Sequence, residues 1–101
     1  MIVVHATFPI DPDHREEALD LARDVVAAST EEPGVIDYHA AVDVEDETVL
    51  RFVERYEDAA AVEAHEESEH FRAFVAGLSD VLAGDPEATR FAVDSATDVE
   101  L

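Results

Sequence analysis

Five histidines, at positions 5, 14, 39, 65 and 70, are the side chains of this sequence best suited to moving protons near neutral pH. Cysteine is absent, which removes disulfides, thiolate nucleophiles and sulfur-ligated metals together. No G-x-S-x-G elbow and no glycine-rich phosphate loop is present. Chemistry concentrates in EAHEESEHFRAF, Glu63 to Phe74, where His65, Ser68 and His70 stand among glutamates and Phe71 and Phe74 follow. Its outer face reads as a solvated acidic surface, and its inner face, His65 with Phe71 and Phe74, as a pocket wall. His65 shares a helical face with Val62 and should point where the core points. A metal site is disfavoured, because His65 and His70 are not spaced as an i, i+4 pair and adjacent acids such as Glu66 and Glu67 diverge. A haem iron needs only one histidine, but also an apolar cavity, which no sequence pattern displays.

The elements that must position these residues can be read from periodicity. MIVVHATFPI alternates, with Ile2, Val4, Ala6 and Phe8 on one face and Val3, His5 and Thr7 on the other, as a strand with two largely buried faces does. A helix follows, capped by Asp11 before Pro12 or by Asp13 with Glu16. Its apolar stripe is Ala18, Leu21, Ala22, Val25 and Ser29, and Pro33-Gly34 stops it. VIDYHAAV and TVLRFVERY form a hairpin around the acidic tip Glu45 to Glu47. A three-residue tip would set Asp37 opposite Arg55 and Tyr38 opposite Glu54. Asp58 caps a further helix, and Ser68 caps a second helical piece that runs to Gly84. ATRFAVDS is the last strand. The order β-α-β-β-α-β predicts an α+β, ferredoxin-like fold with an antiparallel sheet and helices on one face. Residues 1–95 make one domain, and 96–101 an acidic tail. The uncovered sheet face is apolar and calls for a partner, most simply a second copy packed sheet to sheet.

A net charge of -20, no lysine and no asparagine, glutamine or tryptophan dominate the composition. Disorder is ruled out for all but the last residues by the normal, well-patterned apolar content. Mimicry of nucleic acid would demand a strongly basic partner. A salt-saturated cytoplasm explains the bias better, because counter-ions there screen self-repulsion and carboxylates hold water. The same charge argues against binding nucleic acid or an anionic membrane, which need clustered Lys and Arg. No apolar run is long enough to cross a membrane, and no signal peptide opens the chain, so a halophilic, cytoplasmic protein is expected.

In EEPGVIDYHA and VLRFVERYEDAAAVEAHEESEHFRAF the chain resembles the antibiotic biosynthesis monooxygenase (ABM) family, its small quinol-monooxygenase-like members above all. The matching features are Pro33-Gly34, Tyr38 four residues after the glycine, Glu54 and Tyr56 closing a strand, and His65, Ser68, His70 and Phe71 in order. The resemblance implies a dimeric α+β barrel, with a pocket between sheet and helices in each protomer. It also implies cofactor-free oxidation of a quinol or phenolic small molecule by dioxygen. Alternatives on the same fold are a non-catalytic small-molecule-binding or stress-response dimer, an isomerase, or a haem-binding relative. The polyketide-modifying and haem-degrading branches lean on an Asn and a Trp, and this chain has neither.

Oxidation without a cofactor needs a substrate that reduces dioxygen once deprotonated, a base near neutral pKa, a dry apolar pocket and donors for the oxyanion. His65 is the preferred base, with His70, His39 and His5 behind it. Tyr38 and Tyr56 are candidate donors, Arg51 and Arg55 candidate anion partners, and Phe71 and Phe74 the aromatic wall. Each also has a plainer role. His65 suits hydrogen-bonded packing, His70 a helix cap, His5 and His39 a subunit interface, and His14 solvent. The phenylalanines suit the core, and the arginines neutralisation of Asp37 or Glu54.

Overall fold

The computed structural model describes all 101 residues. Strand β1 (Ile2–Pro9) leads through a short 3-10 turn, Pro12–His14, into helix α1 (Arg15–Thr30). Strands β2 (Val35–Val42) and β3 (Val49–Tyr56) follow, then helices α2 (Ala59–Glu67) and α3 (Glu69–Leu78), and strand β4 (Glu87–Ala92). The four strands form one antiparallel sheet in the order β2-β3-β1-β4. The order and the sheet are those of a ferredoxin-like α+β fold.

Local signals place the elements where the sequence puts them, with two adjustments. Asp11 caps the 3-10 turn by accepting from the Asp13 N–H, and α1 starts only after it. The second helical piece stops at Leu78, short of Gly84, because the chain turns there to bring the Val81 and Leu82 N–H groups onto the Leu78 carbonyl. Asp58 and Ser68 cap α2 and α3 as expected. In the hairpin Asp37 faces Arg55 and Tyr38 faces Glu54. The regular strands end at Val42 and Val49, so the tip is longer than three residues, but the register is the expected one. A bulge between Val35 and Asp37 keeps Tyr38 pointing inward.

The core lies between the sheet and the helices. Ala18, Ala22 and Val25 of α1 are buried, as are Ala6, Leu50, Phe52 and Tyr56 of the sheet and Phe74 and Leu78 of α3. Even-numbered residues of β3 face the helices, and odd-numbered ones face outward. The outer face has no covering layer in a single chain: His5 is exposed there, and Val53 and Phe91 are each 43% exposed. No helix is long and apolar enough to cross a membrane.

Candidate active site

A cavity of about 330 Å3 opens between the sheet and the α2–α3 pair. Its apolar wall includes Val4, Phe8, Phe52, Val62, Phe71 and Phe74. Its polar groups are Tyr38, Glu54, Tyr56, His65, Glu66 and Arg90. The aromatic wall is built from edge-on packing, with Phe8 and Phe74 each about perpendicular to a neighbour at centroid distances of 5.4 to 5.6 Å. The cavity meets solvent along β4, whose residues are all exposed.

Glu54 is the unusual member. It occupies an inward, core-phase position of β3 and is 8% exposed. Tyr56, two residues on and on the same face, donates its hydroxyl proton to Glu54 Oε1 at 2.5 Å. Burial pushes the Glu54 carboxyl up to about 7, the Tyr56 hydrogen bond pulling the other way and Glu66 adding to the rise. Burial, reinforced by Glu54, holds the Tyr56 hydroxyl well above its ordinary value, and burial with Glu54 does the same for Tyr38. Near neutral pH the cavity thus holds one carboxyl poised to exchange a proton and two hydroxyls that keep theirs.

His65 lies behind Tyr38. Its Nδ1 is 2.7 Å from Glu32 Oε2, and its Nε2 is 3.3 Å from the Tyr38 hydroxyl. A carboxylate oxygen only accepts, so Nδ1 carries the proton toward Glu32, and Nε2 is free to accept from Tyr38. Glu32 is fixed in the turn after α1, its N–H donating to the Ser29 carbonyl and its carbonyl accepting from the Val35 N–H. His70 Nε2 reaches the same Glu32 oxygen at 2.8 Å. The spacing argument against a shared His65–His70 site holds only for one continuous helix. Ser68 breaks that helix: its hydroxyl donates to the His65 carbonyl and accepts from the Phe71 N–H, and α3 sets off in a new direction. The ring centroids of His65 and His70 end up 5.9 Å apart.

Of the residues singled out from sequence, His65, Tyr38, Tyr56, Phe71 and Phe74 line the cavity, and His70 stands just behind it. The other four do not reach it. His5 packs on Phe91 on the outer face, and His39 is exposed beside Asp37 at the β2 edge. Arg51 pairs with Asp43, and Arg55 with Asp37, also on the outer face. Strand alternation is the reason, since all four share the phase opposite to Tyr38 and Glu54. Three further functional candidates complete the site. Glu54 carried a signal, a charge in the apolar phase of LRFVERY. Arg90, the cation of the cavity, and Glu32, a turn residue, carried none.

Residues 1–77 match the model of the family described as Antibiotic biosynthesis monooxygenase. The chain belongs to the ABM family. It is 33% identical over 90 residues to the Bacillus subtilis protein named "Putative monooxygenase YcnE", an alignment covering 89% of this chain and 95% of that one. The solved structure of Rv0793 from Mycobacterium tuberculosis superposes with a TM-score of 0.88 at 25% identity, over 95% of this chain and 98% of that one. PA3566 from Pseudomonas aeruginosa gives 0.85 at 28% identity, over 93% and 94%. This ABM chain therefore carries a monooxygenase fold.

Proposed function

We propose that this ABM protein is a homodimeric monooxygenase that oxidises a quinol or related phenol with dioxygen and no bound cofactor. The observation that supports it most is a carboxyl poised near pH 7, Glu54, hydrogen-bonded to Tyr56 inside an aromatic-walled cavity. The volume, about 330 Å3, is at the small end for ligand pockets and suits a one- or two-ring substrate. Arg15, Arg23, Arg51 and Arg55 are taken by carboxylates and Arg72 is exposed outside the cavity, so Arg90 is the cation placed to attract the substrate oxygen as it becomes anionic.

Glu54, rather than His65, is the base in this proposal, because both ring nitrogens of His65 already face a partner. The carboxylate takes a hydroxyl proton from the quinol, and the quinolate passes one electron to dioxygen. The resulting radical and superoxide join at a ring carbon, forming a C–O bond, and Glu54 returns its proton to the peroxide. Loss of the ring C–H proton with breakage of the O–O bond expels water and leaves a carbonyl. One quinol and one dioxygen give one hydroxyquinone and one water, and the substrate supplies all four electrons.

The test is oxygen uptake in molar KCl, without added cofactor, over a panel of hydroquinones and phenols, each corrected for autoxidation. Glu54→Gln should lower kcat/KM by about 10²- to 10⁴-fold, the usual contribution of a general base. The wild-type acid limb should bend near pH 7 and stay there on warming, since carboxyl ionisation has little enthalpy. An inflection that moves strongly with temperature, and a collapse in His65→Ala alone, would return the role of base to the imidazole. No uptake above autoxidation would favour a binding protein.

A further inference from the structure

We propose that Glu32, His65 and His70 form a binding site for one divalent transition-metal ion of the zinc, cobalt or nickel kind. The three residues come from three separate elements: the turn after α1, helix α2 and helix α3. One ligand atom from each, Glu32 Oε2, His65 Nδ1 and His70 Nε2, lies within 4.8 Å of the other two. Two imidazoles and a carboxylate are a donor set for ions of this borderline class, with a fourth position left for water.

The surroundings are those of a built site. His65 is 2% exposed and locked by Tyr38 at its second nitrogen, the outer-shell contact that orients a ligating ring. The Ser68 joint fixes the angle at which His70 approaches. Glu32 and His70 retain 15% and 26% side-chain exposure, and His70 also lines a shallow groove with Asp24, so an ion has a way in. Two ring N–H groups now converge on a single carboxylate oxygen, and a cation would replace both protons. Bonds of about 2.0 to 2.1 Å would set the ligand atoms about 3.3 Å apart. Glu32 Oε2 must then draw back about half an ångström from the two rings, and the two ring nitrogens, within 4.8 Å of each other, close on the ion by a turn of the more exposed His70 ring. Neither Glu32 nor His70 lines the cavity, so the ion sits behind the wall. Bound there, it would move the His65 proton to Nε2 and make that ring a donor to the Tyr38 oxygen. The site shares His65 with the cavity wall, but neither ion binding there nor its test depends on the oxidation proposed above.

The experiment is a titration of the full chain with Co2+ in molar KCl near pH 7.5, read by visible ligand-field absorption and competed with Zn2+. A band that saturates at one equivalent and is abolished by Zn2+ is expected, with affinity at least tenfold weaker in both Glu32→Gln and His70→Ala. No band, or binding equal in the two variants and the wild type, would overturn the site and assign the cations to surface carboxylates. Circular dichroism checks that each variant folds. If one does not, imidazole 15N spectra of the wild type decide: Zn2+ must shift His65 Nδ1 and His70 Nε2, and shifts confined to His5, His14 or His39 overturn the proposal.

Discussion

Glu54 couples the candidate chemistry to stability, because burial favours its neutral form. The sign follows from the direction of the shift. A carboxyl raised from 4.5 to about 7 on folding binds its proton more tightly in the native state. Its stabilising contribution is complete below its unfolded value and is lost as the pH rises through about 7. At 1.36 kcal/mol per unit the loss is on the order of 3 kcal/mol. Glu54→Gln keeps a polar group of the same shape without the charge. The variant should therefore gain stability over the wild type between pH 5 and pH 8, by up to about 3 kcal/mol. Denaturant unfolding of both proteins in molar KCl at the two pH values measures this, and the difference between them cancels the titration of the other carboxylates. A difference independent of pH would mean that Glu54 is ionised throughout and is no base near neutrality. The same residue marks what a sequence shows at this scale: its odd place in the apolar phase is visible, but its partner Tyr56 and its degree of burial are not.

At the scale of elements, the site depends on how α2 sits against the start of β2, and Gly34 sets that distance. Its φ is not positive, so the need for glycine is one of space. A Cβ there would fall inside the van der Waals shell of the Ala61 Cβ and 3.3 Å from the Ala61 Cα, which is backbone and cannot yield. Gly34→Ala must push α2 outward, which would carry His65 away from Tyr38 and Glu32. Overpacking of this kind costs about 1–3 kcal/mol, measured by urea unfolding. The double variant Gly34→Ala, Ala61→Gly should be more stable than the sum of the single effects allows, because removing the facing methyl relieves the clash. Strict additivity would mean that the two positions do not touch. Strand order, hairpin register, and the caps at Asp58 and Ser68 were legible in sequence because they depend on local chemistry and alternation. The convergence of His65 and His70 on Glu32 was not, since it depends on the angle between two helices and on a turn far away in the chain.

For the whole molecule, a charge of -20 and an uncovered sheet face pull in opposite directions. Val53 and Phe91, each 43% exposed, give the outer face apolar area that a second copy can bury. Ion pairs Arg51–Asp43 and Arg55–Asp37 neutralise the carboxylates that share that face. Bringing two such chains together nevertheless sets two charges of -20 within a few tens of ångströms. Screening decides the balance: the Debye length is about 10 Å at 0.1 M salt and about 3 Å at 1 M. We therefore expect a dimer in molar KCl that loosens into monomers as salt is withdrawn, with the melting temperature falling in parallel. Val53→Glu puts a carboxylate into the apolar area of a sheet-to-sheet interface and should give monomers even in molar KCl. Light scattering coupled to size exclusion reads both effects. A wild-type monomer in molar KCl would refute the dimer. A dimer that survives in Val53→Glu would move its interface off the sheet face, and the exposed valine and phenylalanine would then need another partner.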